Sequence, residues 1–472
     1  MRILFLILLV LTGCHIGPQY EKPMVEAPLE WKAASESFAS GACVENWWDV
    51  FQDDDLASLE RQGIEKNRTL YVAIQRVSEA RAMAGIAKSD LYPQAYLNPI
   101  YNNVNELIEL YGVPQGLFPG FKTITRAHEQ IYQLPVAMAY EVDLWGKYRG
   151  VYNAAKIYAE AQDEALRATM LVLSAELASH YFNLRAADTQ IALIHANLEP
   201  KKNALTITEA RYASGLVGAI DFLAIQEECC DIEAEYQEAL RYRVQFENAI
   251  AVLVAVAAPE FKIAPNPLWK EPPSIPPGIA SAMLLRRPDV AQAERNMASF
   301  HAFIGVAYAT YFPSICLTSS LGFSSPDLSQ FLNWSSKLWQ IGANIAQVIF
   351  NGWRNRSYVE LAFAKFEKTK GDYENTILLA LQEVEDALAD VEQQGKSFSA
   401  LNRSLKTAQD IKAISQLRYE KGIANRLDLI RTEMAEIDAQ RALSNTLGQR
   451  YQSTIQLIKA LGGGWESIPS AH

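Results

Sequence analysis

The 472-residue chain is poor in the residues that build metal sites, disulfide scaffolds and nucleic-acid surfaces. Its five cysteines are scattered, no two of them form a CxxC pair, and its six histidines are spread as thinly. The 43 Lys and Arg residues are outnumbered by 54 Asp and Glu, which argues against binding to nucleic acid phosphates. The composition therefore excludes a disulfide-rich domain and a paired-cysteine zinc site, and it predicts no nucleic-acid partner.

Long apolar runs and catalytic motifs are also missing. The longest strictly apolar runs are Ile3–Leu11 and Ala249–Ala258, whereas a membrane-spanning helix needs about 20 residues. The chain has no GxxxxGK[ST], HExxH or GxSxG motif. The adjacent acids Glu227 and Glu228 point about 100° apart on a helix, so we interpret them as a solvated face. We expect no transmembrane helix, no enzymatic activity and no metal or organic cofactor.

The N-terminus has the layout of a secretory signal, with Arg2 followed by the apolar Ile3–Leu11 and small residues. The junction Leu-Thr-Gly-Cys ending at Cys14 looks like a bacterial lipobox, in which Cys14 is lipidated and becomes the first mature residue. The alternative is an ordinary signal with an incidental cysteine. His15 follows, where inner-membrane lipoproteins commonly carry Asp, so we expect an outer-membrane lipid anchor.

The sequence contains an internal duplication. A motif, Arg-Tyr-x-x-Gly-x5-Asp, occurs at residues 211–221 and again at 418–428, a shift of 207. Upstream, Ala82–Pro93 resembles Ala302–Pro313 with a shift of 220. The difference of 13 residues predicts an insertion in the first half, before Gly146.

The duplication and the proline distribution together suggest the domain organisation. Ala264–Gly278 holds six prolines and cannot be a helix or a central strand, so it is interpreted as a linker. We predict a signal peptide, an extended lead, repeat 1, a proline-rich linker, repeat 2 and a tail, at residues 1–13, 14–55, 56–258, 259–279, 280–465 and 466–472.

Proline is absent from three long stretches, which are rich in helix-forming residues: Val136–Glu199, Lys201–Ala258 and Asp327–Ile468. Apolar residues recur there at three- and four-residue steps, as in a coiled coil. The pattern predicts very long helices. Ordinary bundle helices joined by unmarked turns are the alternative.

Four segments of about ten residues instead alternate between apolar and polar residues. They start near Ala95, Tyr132, Ser314 and Trp339, and Glu141 carries their one charge. We predict two β-hairpins, at about residues 93–142 and 313–350. Strands of this length and pattern suit a membrane β-barrel, but four strands cannot close one, so the chain would have to oligomerise. A soluble four-stranded sheet with one wet face remains the alternative.

These features together resemble the TolC-like outer-membrane factors, in particular their lipoprotein (OprM/NodT-like) branch. Short motifs agree in order across almost the whole chain: Cys14-x-x-Gly17-Pro18-x-Tyr20-x-x-Pro23, Trp47-Trp48, Asp54–Leu56, Arg287-Pro288-Asp289-Val290, Ala293-Glu294 and Ala460–Trp465.

The resemblance implies a mainly α-helical fold with membrane strands. Each chain of a homotrimer would give four strands to a twelve-stranded outer-membrane barrel, and its helices would form an α-barrel in the periplasm of a Gram-negative-type bacterium. The protein would be a passive exit duct, supplied by a periplasmic adaptor and an inner-membrane pump of the RND type. Residues Glu106–Thr125 would form a loop outside the cell.

The resemblance also places the repeated Arg-Tyr-x-x-Gly motifs on two helix–helix turns at the periplasmic tip. Gly215 and Gly422 suit the left-handed residue that ends a helix, and Asp221 and Asp428 can stabilise the next helix N-terminus. In the family, tip residues also hold the channel closed. The gate candidates carried over are Asp221, Tyr419 and Asp428, with Arg418, Tyr212 and Arg431, the last standing where many relatives have a second acid.

A non-conducting structural lipoprotein with a coiled-coil spacer is the alternative function. It explains the long helices and the lipid. It does not explain four alternating, almost uncharged segments.

Overall fold

The computed structural model describes residues 16–23, 31–32, 46–110, 123–275 and 286–463, and side chains outside 107–127. The predicted signal peptide, Cys14 and the tail lie outside these residues. The described chain divides into two compact units, each assembled from both sequence halves. Among the described residues, the strand unit draws on those within 16–22, 79–159 and 295–370, and the helical unit on those within 23–78, 160–294 and 371–463.

Most of the described helical residues fall in two sets of three helices with identical lengths. A 3₁₀ turn, Trp47–Phe51, and helix α1, Asp54–Lys66, precede them. The sets contain helices of 22, 67 and 35 residues: α2 (Arg68–Ser89), α3 (Lys147–Ala213) and α4 (Ala219–Leu253), then α5 (Pro288–Ala309), α6 (Arg354–Glu420) and α7 (Arg426–Ala460). The starts differ by 220 residues for the first pair and by 207 for the others, so the internal duplication is confirmed.

Helix α3 passes through Pro200 without ending there. A proline costs about 3 kcal/mol in a helix interior, but 53 residues of helix precede Pro200, and several of them, such as Leu177, Tyr181 and Leu184, are buried in the core of the helical unit. None of the described helices carries an apolar stretch long enough to cross a bilayer.

In the helical unit, each repeat has a hydrogen bond that joins the start of its 22-residue helix to the end of its 35-residue helix. Asn67 precedes α2 and donates from Nδ2 to the carbonyl of Leu253, at the end of α4, at 2.8 Å. Arg287 precedes α5 and donates to the carbonyl of Ala460, at the end of α7, at 2.9 Å. These contacts satisfy carbonyls that a helix end leaves unpaired. Arg287 also bonds Glu383 at 2.7 Å.

The Trp47-Trp48 motif is part of an aromatic core in the helical unit. Both side chains are buried beside Tyr181, Phe182 and Tyr451. Trp47 donates from Nε1 to Ser174 Oγ at 3.0 Å, so its polar atom is satisfied. Rings of this size bury large apolar areas and dominate the packing energy of a core.

The strand unit contains one antiparallel sheet. Its segments are β1 (Gln94–Leu97), β2 (Ile100–Leu110), β3 (Thr123–Glu141), β4 (Ser314–Ser325) and β5 (Lys337–Ala346). Both β1 and β2 pair with β3, which pairs with β4, which pairs with β5. Since β1 and β2 lie in line on one side of β3, the sheet is four strands wide, as predicted.

The strand boundaries differ from the predictions at three places. The first strand is split at Asn98-Pro99, because proline has no N–H to give to the ladder. The predicted loop Glu106–Thr125 is wrong at both ends, since Glu106–Leu110 and Thr123–Thr125 are paired strand. The glycines and prolines of that loop lie outside the described residues. The last strand ends at Ala346, four residues before the predicted end.

The register places the predicted apolar residues on one face of the sheet. One cross-strand row joins Leu97, Val136, Leu321 and Trp339. Parallel rows carry Met138 with Ile341, Leu134 with Phe323, Tyr140 with Leu317, and Ile315 with Ile345. Apart from Leu338 and Glu141, the opposite face carries small or uncharged polar residues, among them Gln133, Thr318, Ser320, Gln340 and Asn344.

Candidate functional site: the helix–helix turns and the sheet

The turn between α3 and α4 explains the first Arg-Tyr-x-x-Gly motif. Gly215 has φ +69°, in the left-handed region, and its N–H donates to the carbonyl of Tyr212 at 2.9 Å. The N–H of Leu216 donates to the carbonyl of Arg211, also at 2.9 Å. These two bonds define a Schellman motif, which ends a helix by satisfying its last carbonyls.

The turn between α6 and α7 repeats this geometry. Gly422 has φ +68°, and its N–H donates to the carbonyl of Tyr419 at 2.9 Å. The N–H of Ile423 donates to the carbonyl of Arg418 at 2.8 Å. The motif therefore repeats because both turns use the same backbone bonds, and the glycine is the position that needs a left-handed backbone.

The two acids of the motif cap the helices that follow. Asp221 Oδ2 accepts the N–H of Gly218 at 3.3 Å, and Asp428 Oδ2 accepts the N–H of Asn425 at 3.4 Å. In the second turn Asn425 Oδ1 also accepts the N–H of Asp428 at 2.9 Å, which completes a reciprocal capping box. Gly218 has no side chain to do the same. Two side chains therefore cap the helix after the second turn, whereas only Asp221 caps the helix after the first.

The two tyrosines of the motif have different neighbours. Tyr212 stacks on Phe222, with ring centroids 5.3 Å apart. Tyr419 instead lies under the guanidinium of Arg426, whose carbon is 6.0 Å from the ring centroid. Arg426 also pairs with Glu433 at 3.2 Å. The first turn is thus held by an aromatic pair and the second by a chain of one aromatic and two charged groups.

The remaining gate candidates are exposed. Arg418 contributes its carbonyl to the turn, and its side chain is in solvent. Arg431 is exposed and forms no ion pair within the described part of the chain. Tyr419 and Asp428 therefore lie on either side of the second turn, with no side-chain contact between them in the described structure. The Arg431 charge is left available to a partner.

Ion pairs also join the helices behind the two turns. Lys412 on α6 pairs with Glu436 on α7 at 2.7 Å, and Arg441 on α7 pairs with Glu235 on α4 at 2.7 Å. Lys201 on α3 pairs with Glu228 on α4. Glu228 is therefore half-exposed but ion-paired, so the solvated face predicted for it is confirmed only in part. Such half-exposed pairs are worth little singly, but together they fix how the helices align.

Sequence reasoning missed Arg426, Glu433 and Asn425. The spacing Asn425-x-x-Asp428 follows the pattern of a capping box and was available as a signal. Arg426 and Glu433 are seven residues apart, two turns on the same face of a helix, but nothing in the sequence indicated that Tyr419 would share Arg426.

Residues 16–22 of the lead pack within the strand unit. Gly17 lies so close to α5 that a Cβ there would be 2.9 Å from Gly305 Cα, and the Tyr20 ring meets His301 edge-on at 5.4 Å. Cys14 itself lies outside the described residues.

Three cysteines can be described, and all are free: Cys229, Cys230 and Cys316. Burial raises the pKa of the Cys229 thiol, which suits a packing residue more than a reactive thiolate. No group of three or more potential metal ligands occurs among the described residues.

The sheet has two open edges in the single chain. Among the described strands, β1 and β2 pair only with β3, and β5 pairs only with β4. One face presents exposed apolar residues such as Leu321, Trp339 and Ile341. The described sheet therefore has one apolar face, one mostly uncharged polar face and two unpaired edges.

Comparison with known proteins places the chain in a family. The model of the outer membrane efflux protein family matches residues 60–256 and 279–463. Outer membrane protein OprJ of Pseudomonas aeruginosa is 29% identical over 469 residues, covering 98% of this chain and 95% of OprJ. Cation efflux system protein CusC of Escherichia coli K12 is 27% identical over 468 residues, covering 98% of each chain.

Solved structures of outer-membrane channels resemble the fold of this chain. The outer-membrane channel OprN aligns with a TM-score of 0.84 at 26% identity, over 96% of this chain and all of OprN. The open state of the Neisseria gonorrhoeae MtrE outer membrane channel aligns with a TM-score of 0.81 at 28% identity, over 96% of this chain and 98% of MtrE.

Proposed function

Because the chain belongs to the outer membrane efflux protein family, we propose that it is the passive exit duct of a tripartite efflux system. Three copies form the duct, a periplasmic adaptor docks on the helix–helix turns, and an inner-membrane pump of the RND type supplies the energy. Cys14 carries the lipid anchor. The observation that carries this proposal is the open-edged sheet with unlike faces.

Edge closure is the reason for a homotrimer. Each unpaired backbone group costs several kcal/mol in lipid, so the edges formed by β1, β2 and β5 cannot stand open in a membrane. Four strands are too few to close on themselves, whereas twelve from three copies make a barrel wide enough for a channel. The row Leu97, Val136, Leu321 and Trp339 then meets lipid, and the polar face lines the water-filled interior.

The gate is proposed at the two turns. The second turn joins Tyr419, Arg426 and Glu433, and Asp428 is close by as the cap of α7. In this proposal the closed state depends on Asp428, Tyr419 and the exposed charges of Arg418 and Arg431, which meet groups on neighbouring copies. Asp221 and Tyr212 act in the first turn. Opening requires the paired helices behind the turns to move apart.

A coiled-coil spacer without a pore is the weaker alternative. It needs no sheet with an apolar outer face, and the relatives that this chain matches are efflux proteins.

Conductance in a planar bilayer tests the duct and the gate together. We expect a trimeric preparation to show small, mostly closed conductances. Asp428→Asn keeps an oxygen for the cap but loses the charge, and Tyr419→Phe keeps the ring under Arg426 but loses the hydroxyl. Both variants raise the open fraction if these groups hold the gate. The control Asp372→Ala removes an exposed acid of α6 far from the turn and leaves it unchanged.

Two outcomes contradict the proposal. A trimeric preparation that never conducts excludes the duct. Conductance that only Asp428→Ala changes, while Asp428→Asn behaves as wild type, shows that Asp428 serves as a helix cap and not as a gate.

A further inference from the structure

The connection between β4 and β5 exposes large apolar side chains at the end of the sheet away from the helices. Leu328 is 64% exposed, Leu332 is 70% exposed and Trp334 is 80% exposed. Three such side chains within seven residues are not a scattered surface feature. Apolar exposure concentrated in this way is typical of a surface that meets a partner or a membrane.

The connection is held in a defined shape, so this exposure is built into it. Two 3₁₀ turns, Leu328–Gln330 and Trp334–Ser336, span most of it. Ser336 Oγ donates to the carbonyl of Gln330 at 2.8 Å, and Phe331 meets Phe323 edge-on at 6.5 Å. These contacts leave Leu332 and Trp334 pointing away from the protein that the structure describes.

One cation lies beside this apolar group. Lys337 begins β5, and its Nζ lies 4.2 Å from the centroid of the Trp334 ring. It is the only Lys or Arg between Asn296 and Trp353, a segment in which Asp327 is the only acid. Lys337 is exposed and has no ion pair among the described residues. The Asp327 carboxylate is turned to the N–H of Ser329, at 2.9 Å.

The register shows where Lys337 lies on the sheet. It is opposite Phe323, and Trp339, two residues on, is opposite Leu321, so all four lie on the apolar face. A lysine on a lipid-facing surface is costly at the bilayer midplane and tolerated near the interface, where its ammonium reaches the headgroups. Tryptophan prefers the same depth. Lys337 and Trp334 therefore mark the boundary between the acyl chains and the headgroups.

We propose that Leu328, Leu332, Trp334 and Lys337 form a docking site for a phosphorylated glycolipid of the outer leaflet. The three apolar side chains pack against the lipid at this boundary, and the Lys337 ammonium, oriented by the Trp334 ring, pairs with a headgroup phosphate. The site is continuous with the apolar face of the sheet, and its single charge complements an anionic headgroup. This inference rests on the proposed function, which turns the β4–β5 connection outward.

Native mass spectrometry of the purified full-length protein tests the site, with bisphosphorylated lipid A and its dephosphorylated form as probes in mixed micelles. We expect Lys337→Gln to bind bisphosphorylated lipid A about fivefold more weakly than wild type, the effect of one lysine at an anionic surface. Lys337→Arg restores binding. Trp334→Ala weakens binding of both lipids. The control Lys365→Gln, an exposed lysine of α6 in the same unit, binds as wild type.

Two results overturn the inference. In one, Lys337→Gln binds bisphosphorylated lipid A as well as wild type does. In the other, it loses the dephosphorylated lipid to the same extent, so that no phosphate is recognised. Conductance of the same preparations separates this test from that of the duct. If Lys337→Gln conducts normally and binds lipid normally, the lipid site fails and the duct stands; if wild type never conducts, the duct fails.

Discussion

Gly215 and Gly422 take backbone conformations that residues with a Cβ rarely adopt, and no atom lies within 4 Å of where a Cβ would stand at either. A substitution there is therefore limited by backbone strain and not by space. At both places the strain would fall on the two hydrogen bonds that end the helix. The glycines are thus required by the turn itself, whatever binds to it.

Replacing Gly422 by Ala should loosen the second turn. A left-handed backbone costs a residue with a Cβ on the order of 1 kcal/mol, so we expect the Ile423 amide to exchange about fivefold faster, as measured by hydrogen exchange with mass spectrometry. Gly395→Ala is the matched control, because Gly395 lies inside α6 with open space around it. There alanine favours the helix and slows exchange. Unchanged exchange at Ile423 would contradict this account.

Glu60 on α1 is buried without a hydrogen-bond partner for Oε1, beside a cavity of about 10 Å³ whose walls include Leu177 and Leu253. Burial raises the pKa of Glu60 well above its usual value. The folded protein therefore keeps a proton that the unfolded chain releases near pH 4.3. The free energy of unfolding falls as the pH rises from that value, and it levels off above the folded pKa.

Glu60→Gln should remove this loss. Its stability relative to wild type should be constant below pH 4 and should grow as the pH rises, by about 1.4 kcal/mol for each unit by which the folded pKa exceeds the unfolded one. Chemical unfolding followed by circular dichroism between pH 4 and 8 measures the difference. Wild type and variant with parallel pH profiles would show that Glu60 is ionised in the folded state.

Individual helices and strands were predictable where a pattern repeats and not where tertiary contacts decide. The offsets of 207 and 220 residues predicted which helices of the two repeats correspond, because both helix–helix turns use the same backbone hydrogen bonds. Pro200 does not end α3 because helix propensity is local, whereas buried residues such as Leu177, Tyr181 and Leu184 hold the helix in the core. Strands β2 and β3 extend into the predicted loop Glu106–Thr125, where pairs such as Glu106 with Ala127 continue the backbone ladder without an apolar–polar alternation in the sequence.

The pairing of β3 with β4 depends on Gly322. A Cβ there would lie 2.1 Å from the Leu134 carbonyl oxygen and 2.7 Å from Pro135 Cα, and both are backbone atoms that cannot turn aside. Gly322→Ala should therefore displace β4 and lower the yield of heat-resistant oligomer in outer-membrane fractions, at a cost of about 1–3 kcal/mol. Gly342→Ala is the control, since its Cβ would meet only the Thr318 hydroxyl, which can rotate. Equal yields for the two variants would contradict the register.

For the complete chain, the sequence predicted the family through motifs spread from the lead to α7, and the family model and relatives confirm it. The division into compact units was not predictable, because each unit takes segments from both repeats and contacts across the chain leave no local signal. The two unpaired edges of the sheet matter most for how the protein assembles. Under the proposed function, a chain whose described four-stranded sheet is open on both sides needs other copies of itself before it can line a pore.

Residues 340 and 341 on β5 test the central claim most directly, because they lie on opposite faces of the sheet. In protein reconstituted into liposomes, with Cys43, Cys229, Cys230 and Cys316 replaced by Ser, Gln340→Cys should react with a membrane-impermeant thiol reagent. Ile341→Cys should resist it, and a fluorophore attached there should be quenched by a lipid-borne quencher. If both positions react equally with the water-soluble reagent, the sheet is not the wall of a membrane duct.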